Sequence, residues 1–161
     1  MSILVFGGSG FIGSRFIRRW NNHSSSAIIN IDKLTYASDQ SNLNFLTKDK
    51  NYFFYNEDIN NKNNIREIIN KHKPNLFINF AAETHVDNSI ESSYEFIKTN
   101  VLGVQTLLDL FREYHHLHSN ELNFKFIQIS TDEVYGDLQD NDDPFTENTK
   151  YSPNNPYSAS K

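Results

Sequence analysis

With 161 residues, of which 37% are hydrophobic and 22% charged, the chain suits one globular domain with a sizeable core and does not resemble a disordered segment. Its formal net charge of −5 argues against a general nucleic-acid binder, and no apolar run reaches the length of a membrane span or a signal-peptide core. The absence of cysteine from the sequence removes disulfides, thiolate nucleophiles and cysteine-based zinc sites, and it favours a cytoplasmic location.

Short apolar runs alternate with segments of helical periodicity along most of the chain. The predicted strands are 3–6, 27–31, 52–55, 76–80 and 124–129, and the predicted helices are 11–20, 65–72 and 94–114. The apolar side of the last helix is formed by Phe96, Ile97, Val101, Val104, Leu107, Leu108 and Phe111. This alternation predicts βαβ units and a doubly wound α/β fold with a parallel sheet. After Ser130 the chain becomes polar, and 157–161 is predicted as a first helical turn.

Three glycines lie between the first strand and the first helix. Gly7, Gly10 and Gly13 are spaced as G-x-x-G-x-x-G. Glycine permits a tight turn and lets a pyrophosphate approach the backbone, while the helix N-terminus supplies N–H groups for the anion. A glycine triplet alone is a weak signal, but directly after a first strand it predicts a dinucleotide site of the Rossmann type.

An acidic residue follows the second strand at the spacing that such a site requires. Asp32 comes 19 positions after Gly13, close to the offset of the carboxylate that binds the adenosine ribose hydroxyls. A carboxylate there repels a 2′-phosphate and favours NAD over NADP, although the adjoining Lys33 weakens this preference. The alternative is an aspartate that only caps a turn. Asp58 and Ile59 follow the third strand, near the expected adenine position, where an aspartate is otherwise a turn former.

Small and polar residues follow the fourth and fifth strands, at the edge where open α/β sheets bind ligands. Ala81 and Ala82 would let a cofactor lie against the backbone, and His85 either contacts a substrate or is satisfied by its own loop. The segment 130–133, Ser-Thr-Asp-Glu, adds a hydroxyl and two carboxylates. Such a pair can act as acid and base, while the alternative is a solvated acidic turn that caps a helix.

Tyr157 and Lys161 form the pattern Tyr-x-x-x-Lys, which places both side chains on one face of a helix. A nearby ammonium would lower the pKa of the tyrosine and make it a usable base. The pattern is common by chance, but behind the glycine fingerprint and Thr131 it indicates a short-chain dehydrogenase active site. His115, His116 and His118 end the long helix without a carboxylate or cysteine framework, so we expect no metal site.

Taken together, these motifs resemble the dTDP-glucose 4,6-dehydratase family of the extended short-chain dehydrogenase/reductase superfamily. The resemblance covers essentially the whole chain, and the matching segments are 7–13, 32–37, 81–90, 99–100, 130–136 and 157–161. The first and last segments are shared across the superfamily, whereas 32–37, 81–90 and 131–133 are far more specific to the dehydratases. The chain departs from the family at Asn88, Thr84 and 38–40, where the family usually has Arg, Ser and a glycine-containing turn.

The resemblance implies NAD as the cofactor and a nucleotide sugar, dTDP-glucose, as the substrate. The implied cofactor-binding residues are Gly7, Gly10, Phe11, Ile12, Gly13, Asp32, Lys33, Leu34, Thr35, Asp58, Ile59, Ala81, Ala82, Glu83, Thr84, Thr99, Tyr157 and Lys161. His85 and Thr131 are implied to contact the substrate. No nucleic-acid or membrane partner is expected.

The resemblance also implies a catalytic set and a reaction. Tyr157, helped by Thr131 and Lys161, would take the proton of the sugar 4-hydroxyl while hydride passes from C4 to NAD. Glu133 would remove the C5 proton, and Asp132 would protonate the leaving 6-hydroxyl. Return of the hydride to C6 would give a 4-keto-6-deoxy sugar.

The family has a further C-terminal half that holds the last strands of the sheet and most of the nucleotide-sugar site. We therefore expect residues 1–161, as one incomplete NAD-binding domain, not to complete a catalytic cycle alone. Formation of a 4-keto-6-deoxy sugar by the purified chain would overturn this expectation. The sequence leaves open another sugar-nucleotide enzyme (a UDP-sugar epimerase, decarboxylase or dehydratase) and a non-catalytic NAD-binding module or gene remnant. The resemblance implies homodimers for full-length relatives, whereas the oligomeric state of this chain stays open.

Overall fold

A parallel β-sheet organises the first part of the computed structural model, which describes residues 2–118 and 124–161. Within these residues the strands are β1 (Ser2–Phe6), β2 (Ala27–Asp32), β3 (Tyr52–Asn56), β4 (Leu76–Asn79) and β5 (Lys125–Gln128). Their order is β3-β2-β1-β4-β5, so β1 is central and all of its side chains are buried. The strand order reverses beside β1, which creates the switch point where open α/β sheets bind ligands. The predicted parallel α/β fold is confirmed.

The helices are α1 (Phe11–His23), α2 (Lys62–His72), α3 (Val86–Glu91), α4 (Tyr94–Phe96), α5 (Val104–His118) and α6 (Pro156–Ser160). Two 3₁₀ segments span Gln40–Leu46 and Asp132–Tyr135, and a π-helical segment spans Ile97–Gly103. The chain divides into two compact units. The first comprises Met1–Ala81 with Gly103–Ile129, and the second comprises Ala82–Leu102 with Ser130–Lys161.

The core of the first unit lies on both faces of the sheet, because alternate strand residues point to opposite sides. On one face Leu4, Ile29 and Phe77 belong to a buried cluster with residues of α2 and α5, namely Ile65, Ile68, Ile69, Leu107, Leu110 and Tyr114. On the other face Ile3, Val5 and Ile28 pack with Ile17, Leu43 and Leu46. The sheet therefore has helical cover on both sides, supplied on the second face partly by a 3₁₀ segment that periodicity did not predict.

The predicted helix 94–114 consists of three successive segments, α4, the π-helical segment and α5. The wider turns of a π-helix change which residues face the same side, so the apolar side drawn from a regular α-helical period is partly wrong. Phe96 and Leu107 are buried as expected, but Ile97, Val101 and Leu108 are 46%, 41% and 46% exposed. Gly103 ends the π segment against Ile59, whose Cδ1 would lie 2.5 Å from a Cβ at that position.

The other boundaries differ from the prediction by a few residues. Helix α1 continues to His23, α2 begins at Lys62, and the short helix α3 was not predicted. As predicted, α2 ends before Pro74. Lys73 adopts a left-handed conformation there and donates its N–H to the carbonyl of Ile69, which completes a helix end.

The second unit contains α3, α4, the 3₁₀ segment Asp132–Tyr135 and α6, and much of its interior is polar. Its buried polar side chains are Ser89, Thr99, Asn100, Ser158 and Ser160. Aromatic contacts add to these groups. The ring of Tyr157 meets the edge of Phe96 at 6.4 Å, and Tyr135 stacks on Tyr151 at 5.4 Å. In 2–118 and 124–161 no helix combines the length and the apolar character needed to cross a membrane.

Replacing Phe77 with Ala is expected to lower the free energy of unfolding by about 3–5 kcal/mol, because a ring with 1% exposure leaves a cavity between α5 and the sheet. Urea denaturation followed by circular dichroism measures the loss. Phe11→Ala is the matched control, since its side chain is 90% exposed and the change should stay within about 0.5 kcal/mol. Equal losses in both variants would contradict the assigned core.

Candidate active site

The glycine loop between β1 and α1 approaches other backbone too closely to carry side chains. Gly7 has a φ of +72°, and a Cβ there would lie 2.5 Å from the backbone nitrogen of Ala81. A Cβ at Gly13 would lie 2.3 Å from the carbonyl oxygen of Gly7. Helix α1 starts after Gly10 with no side-chain cap. The first turn of the helix therefore presents backbone N–H groups and the positive end of the helix dipole, which suit an anionic group.

Asp32 is buried and tied directly to this loop. Its Oδ2 accepts a hydrogen bond from the Ser9 N–H at 2.9 Å, and its Oδ1 accepts from the Leu34 N–H at 2.9 Å and the Ser38 hydroxyl at 2.8 Å. The turn-capping role considered from the sequence is thus present. A carboxylate offers about four acceptor positions, so these three donors leave capacity for a further one. Ser38, one of the departures from the family pattern, orients this carboxylate.

The glycine loop is also supported by a polar network within the sheet, which the sequence analysis missed. Asn30 is fully buried in β2, and its Nδ2 donates to the Ser9 hydroxyl at 3.2 Å and the Tyr52 hydroxyl at 3.0 Å. A Cβ at Gly8 would lie 2.2 Å from the Oδ1 of Asn30. Burial raises the pKa of Tyr52, which keeps this phenol neutral. The signal in the sequence was a single amide inside the apolar run 28–31.

The remaining expected cofactor residues of the first unit differ in their surroundings. Phe11 and Ile12 are 90% and 62% exposed at the start of α1. Asp58 accepts from the Asn60 N–H at 2.8 Å and forms a turn, while Ile59 is buried in the core. Lys33, Leu34 and Thr35 lie in the loop after β2, where Leu34 has a φ of +58°. The exposed side chains are accessible to a ligand, whereas the side chain of Ile59 is committed to packing.

In the second unit, Asn100 organises the loop that follows the fourth strand. Its Oδ1 accepts from the Glu83 N–H at 2.8 Å, and its Nδ2 donates to the Glu83 carbonyl at 2.9 Å and to the Ser160 hydroxyl at 2.8 Å. The loop that begins at Ala82 is therefore held to α6 by one buried amide, which was not among the expected site residues. Thr84 and His85 are exposed, and Thr99 is buried.

The 130–133 segment surrounds Tyr157 with one hydroxyl and two carboxylates. Thr131 caps the 3₁₀ segment by accepting from the Glu133 N–H at 3.4 Å, so the capping alternative also describes this turn. Burial raises the pKa of Tyr157, a hydrogen bond with Thr131 lowers it, and the charges of Glu133 and Asp132 raise it again. The sequence argument expected a lowered pKa, and the net direction is the opposite.

Lys161 directly follows α6 and is partly buried. Burial lowers the pKa of Lys161, because a low-dielectric surrounding disfavours its ammonium form. Lys161 and Thr131 line a common cavity of about 420 Å³ together with Tyr135, Tyr151 and Pro153. A volume of this order falls within the range of small-molecule sites, about 300–1,000 Å³.

Helix α6 has only five residues, and tertiary hydrogen bonds hold it in place. Asn155 and Ser158 form a reciprocal capping box at its start. The N–H of Tyr157 donates to the buried Ser89 hydroxyl at 3.2 Å, and Ser160 accepts from Asn100. A helix of five residues is not stable as an isolated segment, and these hydrogen bonds stabilise it within the fold.

Among the described residues, no group of three or more histidines or carboxylates is placed to hold a metal ion. The helix-end histidines instead take part in packing. His118 is within 3.0 Å of the Tyr114 carbonyl through Nδ1, and the rings of His115 and Phe124 meet at 5.9 Å.

Comparison with known proteins identifies relatives that share both sequence and fold. Residues 4–161 match the family model described as GDP-mannose 4,6 dehydratase. The dTDP-glucose 4,6-dehydratase of Haemophilus influenzae is 47% identical over 100% of this chain and 48% of its own length. The crystal structure of dTDP-glucose 4,6-dehydratase from Bacillus anthracis in complex with NAD has a TM-score of 0.86 and 39% identity, and the match covers 100% of this chain and 47% of that one.

A second crystal structure, dTDP-glucose 4,6-dehydratase from Streptomyces venezuelae with NAD and dTDP bound, has a TM-score of 0.87. It is 35% identical, and the match covers 100% of this chain and 48% of that one. The chain therefore spans about half the length of the curated relatives that it matches.

Replacing Glu133 with Gln is expected to lower the pKa of Tyr157, because the substitution removes a carboxylate that repels the phenolate. The phenol is titrated by difference absorbance, with the Tyr157→Phe variant as the blank. Glu147→Gln changes an exposed glutamate of the same unit and should leave the titration where it was. An unchanged or raised Tyr157 pKa in Glu133→Gln would show that the two groups do not interact.

Proposed function

The chain belongs to the GDP-mannose 4,6 dehydratase family, and on that premise we propose that it binds NAD and carries the acid–base residues of a dTDP-glucose 4,6-dehydratase. Relatives at 41–47% identity are dTDP-glucose 4,6-dehydratases. The observation that carries the proposal is the group of Thr131, Asp132 and Glu133 around Tyr157, which supplies the base and the acid that an elimination needs. The two units are assigned separate tasks: the first binds the dinucleotide, and the second acts on the sugar.

The residues of the first unit fit a dinucleotide. At Gly7 and Gly13 a single added carbon would collide with backbone, so the loop keeps an open cradle at the N-terminus of α1. Asp32, fixed by Ser9, Leu34 and Ser38, retains acceptor capacity for a ribose hydroxyl. Because the carboxylate would repel a 2′-phosphate at this place, the site is suited to NAD and not to NADP.

The groups of the second unit divide the proton transfers among them. NAD, when bound, would accept hydride from the sugar C4 and deliver it to C6. Tyr157 takes the proton of the 4-hydroxyl, and its hydrogen bond with Thr131 favours the phenolate form. Glu133, partly buried, removes the C5 proton that the neighbouring ketone makes acidic. Asp132, which is exposed, protonates the leaving 6-hydroxyl.

Two carboxylates distinguish this reaction from the one that an epimerase performs. Elimination of water across C5 and C6 needs a base at one carbon and an acid at the other, whereas epimerisation at C4 needs neither. Asp132 and Glu133 are adjacent in one 3₁₀ segment, yet Asp132 is exposed while Glu133 is partly buried and accepts a hydrogen bond from Asn155. The pair therefore offers two carboxylates with different contacts, one for each proton transfer of an elimination.

Calorimetry of the purified chain is expected to show binding of NAD with a clear preference over NADP. Asp32→Asn should weaken NAD binding by roughly 10- to 100-fold, since it removes a charged acceptor worth about 1.5–3 kcal/mol, and should also reduce the preference over NADP. Asp49→Asn, in an exposed turn, is the matched control. If the well-folded chain bound neither dinucleotide, or bound both equally, the proposed cofactor role of the first unit would be wrong.

The reaction is tested on the gene product at its native length and on residues 1–161 in parallel, with NAD and dTDP-glucose in deuterated water. A dehydratase forms a product that has lost one water and carries deuterium at C5, because C5 is reprotonated from solvent. Glu133→Gln should lower turnover by about 10²–10⁴-fold, with Glu147→Gln as the control. We expect no product from residues 1–161 alone. Formation of a 4-epimer of unchanged mass by the native-length protein would favour the epimerase instead.

A further inference from the structure

The side chain of Asn155 bonds in two directions at once. Its Oδ1 accepts from the Ser158 N–H at 2.7 Å, which caps the first turn of α6. Its Nδ2 donates to Oε2 of Glu133 at 3.2 Å and to Oδ1 of Asn154 at 3.3 Å. Both hydrogens of the amide are therefore used, and one of them is bonded to a carboxylate of the candidate site.

An amide of this length suits the position better than the other capping residues do. Ser, Thr and Asp also accept hydrogen bonds at a helix start. A serine or threonine hydroxyl is too short to cap the helix and reach Glu133 at the same time. An aspartate would place a second negative charge beside the Glu133 carboxylate. Asn155 combines an acceptor for the helix with a donor for the carboxylate in a single planar group.

The bond from Asn155 joins two segments that are far apart in the chain. Glu133 belongs to the 3₁₀ segment Asp132–Tyr135, while Asn155 precedes the helix that contains Tyr157. The backbone N–H of Tyr157 is held in turn by the buried Ser89 hydroxyl. With the helix anchored by Ser89 and by the capping box, a donor at position 155 gives the flexible Glu133 side chain a fixed point of attachment.

We propose that Asn155 is a positioning residue that attaches the Glu133 carboxylate to the start of α6 and so keeps it at a constant distance from Tyr157. The inference rests on the proposed function, in which Tyr157 and Glu133 act in succession on neighbouring carbons of one sugar. A base that is free to rotate into solvent would be out of reach of C5 after the first proton has moved, so its attachment affects the second step and not the binding of the substrate.

The test uses the interaction between Glu133 and Tyr157 as its signal, because that interaction is present without cofactor or sugar. Asn155→Ser retains a capping hydroxyl but loses the donor to Glu133. Release of the carboxylate toward solvent should reduce its repulsion of the phenolate, so the Tyr157 titration shifts to lower pH. In a Glu133→Gln background the same substitution should produce no further shift. Asn148→Ser, at an exposed amide of the same unit, is the matched control.

A shift of the Tyr157 pKa that occurs only when Glu133 is present supports the proposal. If the pKa does not shift, or shifts equally in the wild-type and Glu133→Gln backgrounds, Asn155 is only a helix cap and the proposal is wrong. Circular dichroism and urea denaturation establish that the compared variants are folded. In the native-length protein, Asn155→Ser should lower kcat and leave KM for dTDP-glucose unchanged. Because the titration needs no ligand, failure of NAD binding would count against the proposed function, while the titration alone decides the role of Asn155.

Discussion

The structure depends most on the close approach of the glycine loop to the ends of the central strands. Gly7 meets the backbone of Ala81, which follows β4, and Gly13 meets the carbonyl of Gly7. No side chain fits at either contact, so the loop closes tightly over β1 and leaves the start of α1 open to an anion. Any larger residue at either place would push the loop away from the switch point of the sheet, and the cradle would be lost.

Buried hydrogen bonds from amide side chains hold loops that the apolar core does not reach. Asn30 supports Ser9 from within β2, and Asn79, at the end of β4, bonds Gln128 and the N–H of Ala81. In the second unit Asn100 holds both Glu83 and Ser160. An amide can donate and accept at the same time, so one side chain can tie two segments together where an apolar residue could only fill space.

The surroundings of Tyr157 and Lys161 disfavour the charged forms of both side chains. Burial and two carboxylates make the Tyr157 phenolate costly, and burial makes the ammonium of Lys161 costly as well. The same carboxylates are the groups that an elimination requires.

The sequence by itself determined which motif follows which strand along the chain, the parallel α/β class, the glycine loop and the acidic residue after β2. These features depend on local spacing, since periodicity, glycine positions and the distance from Gly13 to Asp32 are properties of short segments. It also located Thr131, Asp132, Glu133 and Tyr157, whose family roles remain proposals.

Only the tertiary structure decided the π-helical interruption that exposes Ile97 and Val101, the support that Asn30 and Asn100 provide, and the raised pKa of Tyr157. Each of these depends on which distant residues come together. A pattern such as Tyr-x-x-x-Lys states how two side chains are spaced on a helix. It does not state how deeply they are buried or which charges face them, and those two quantities determine their chemistry.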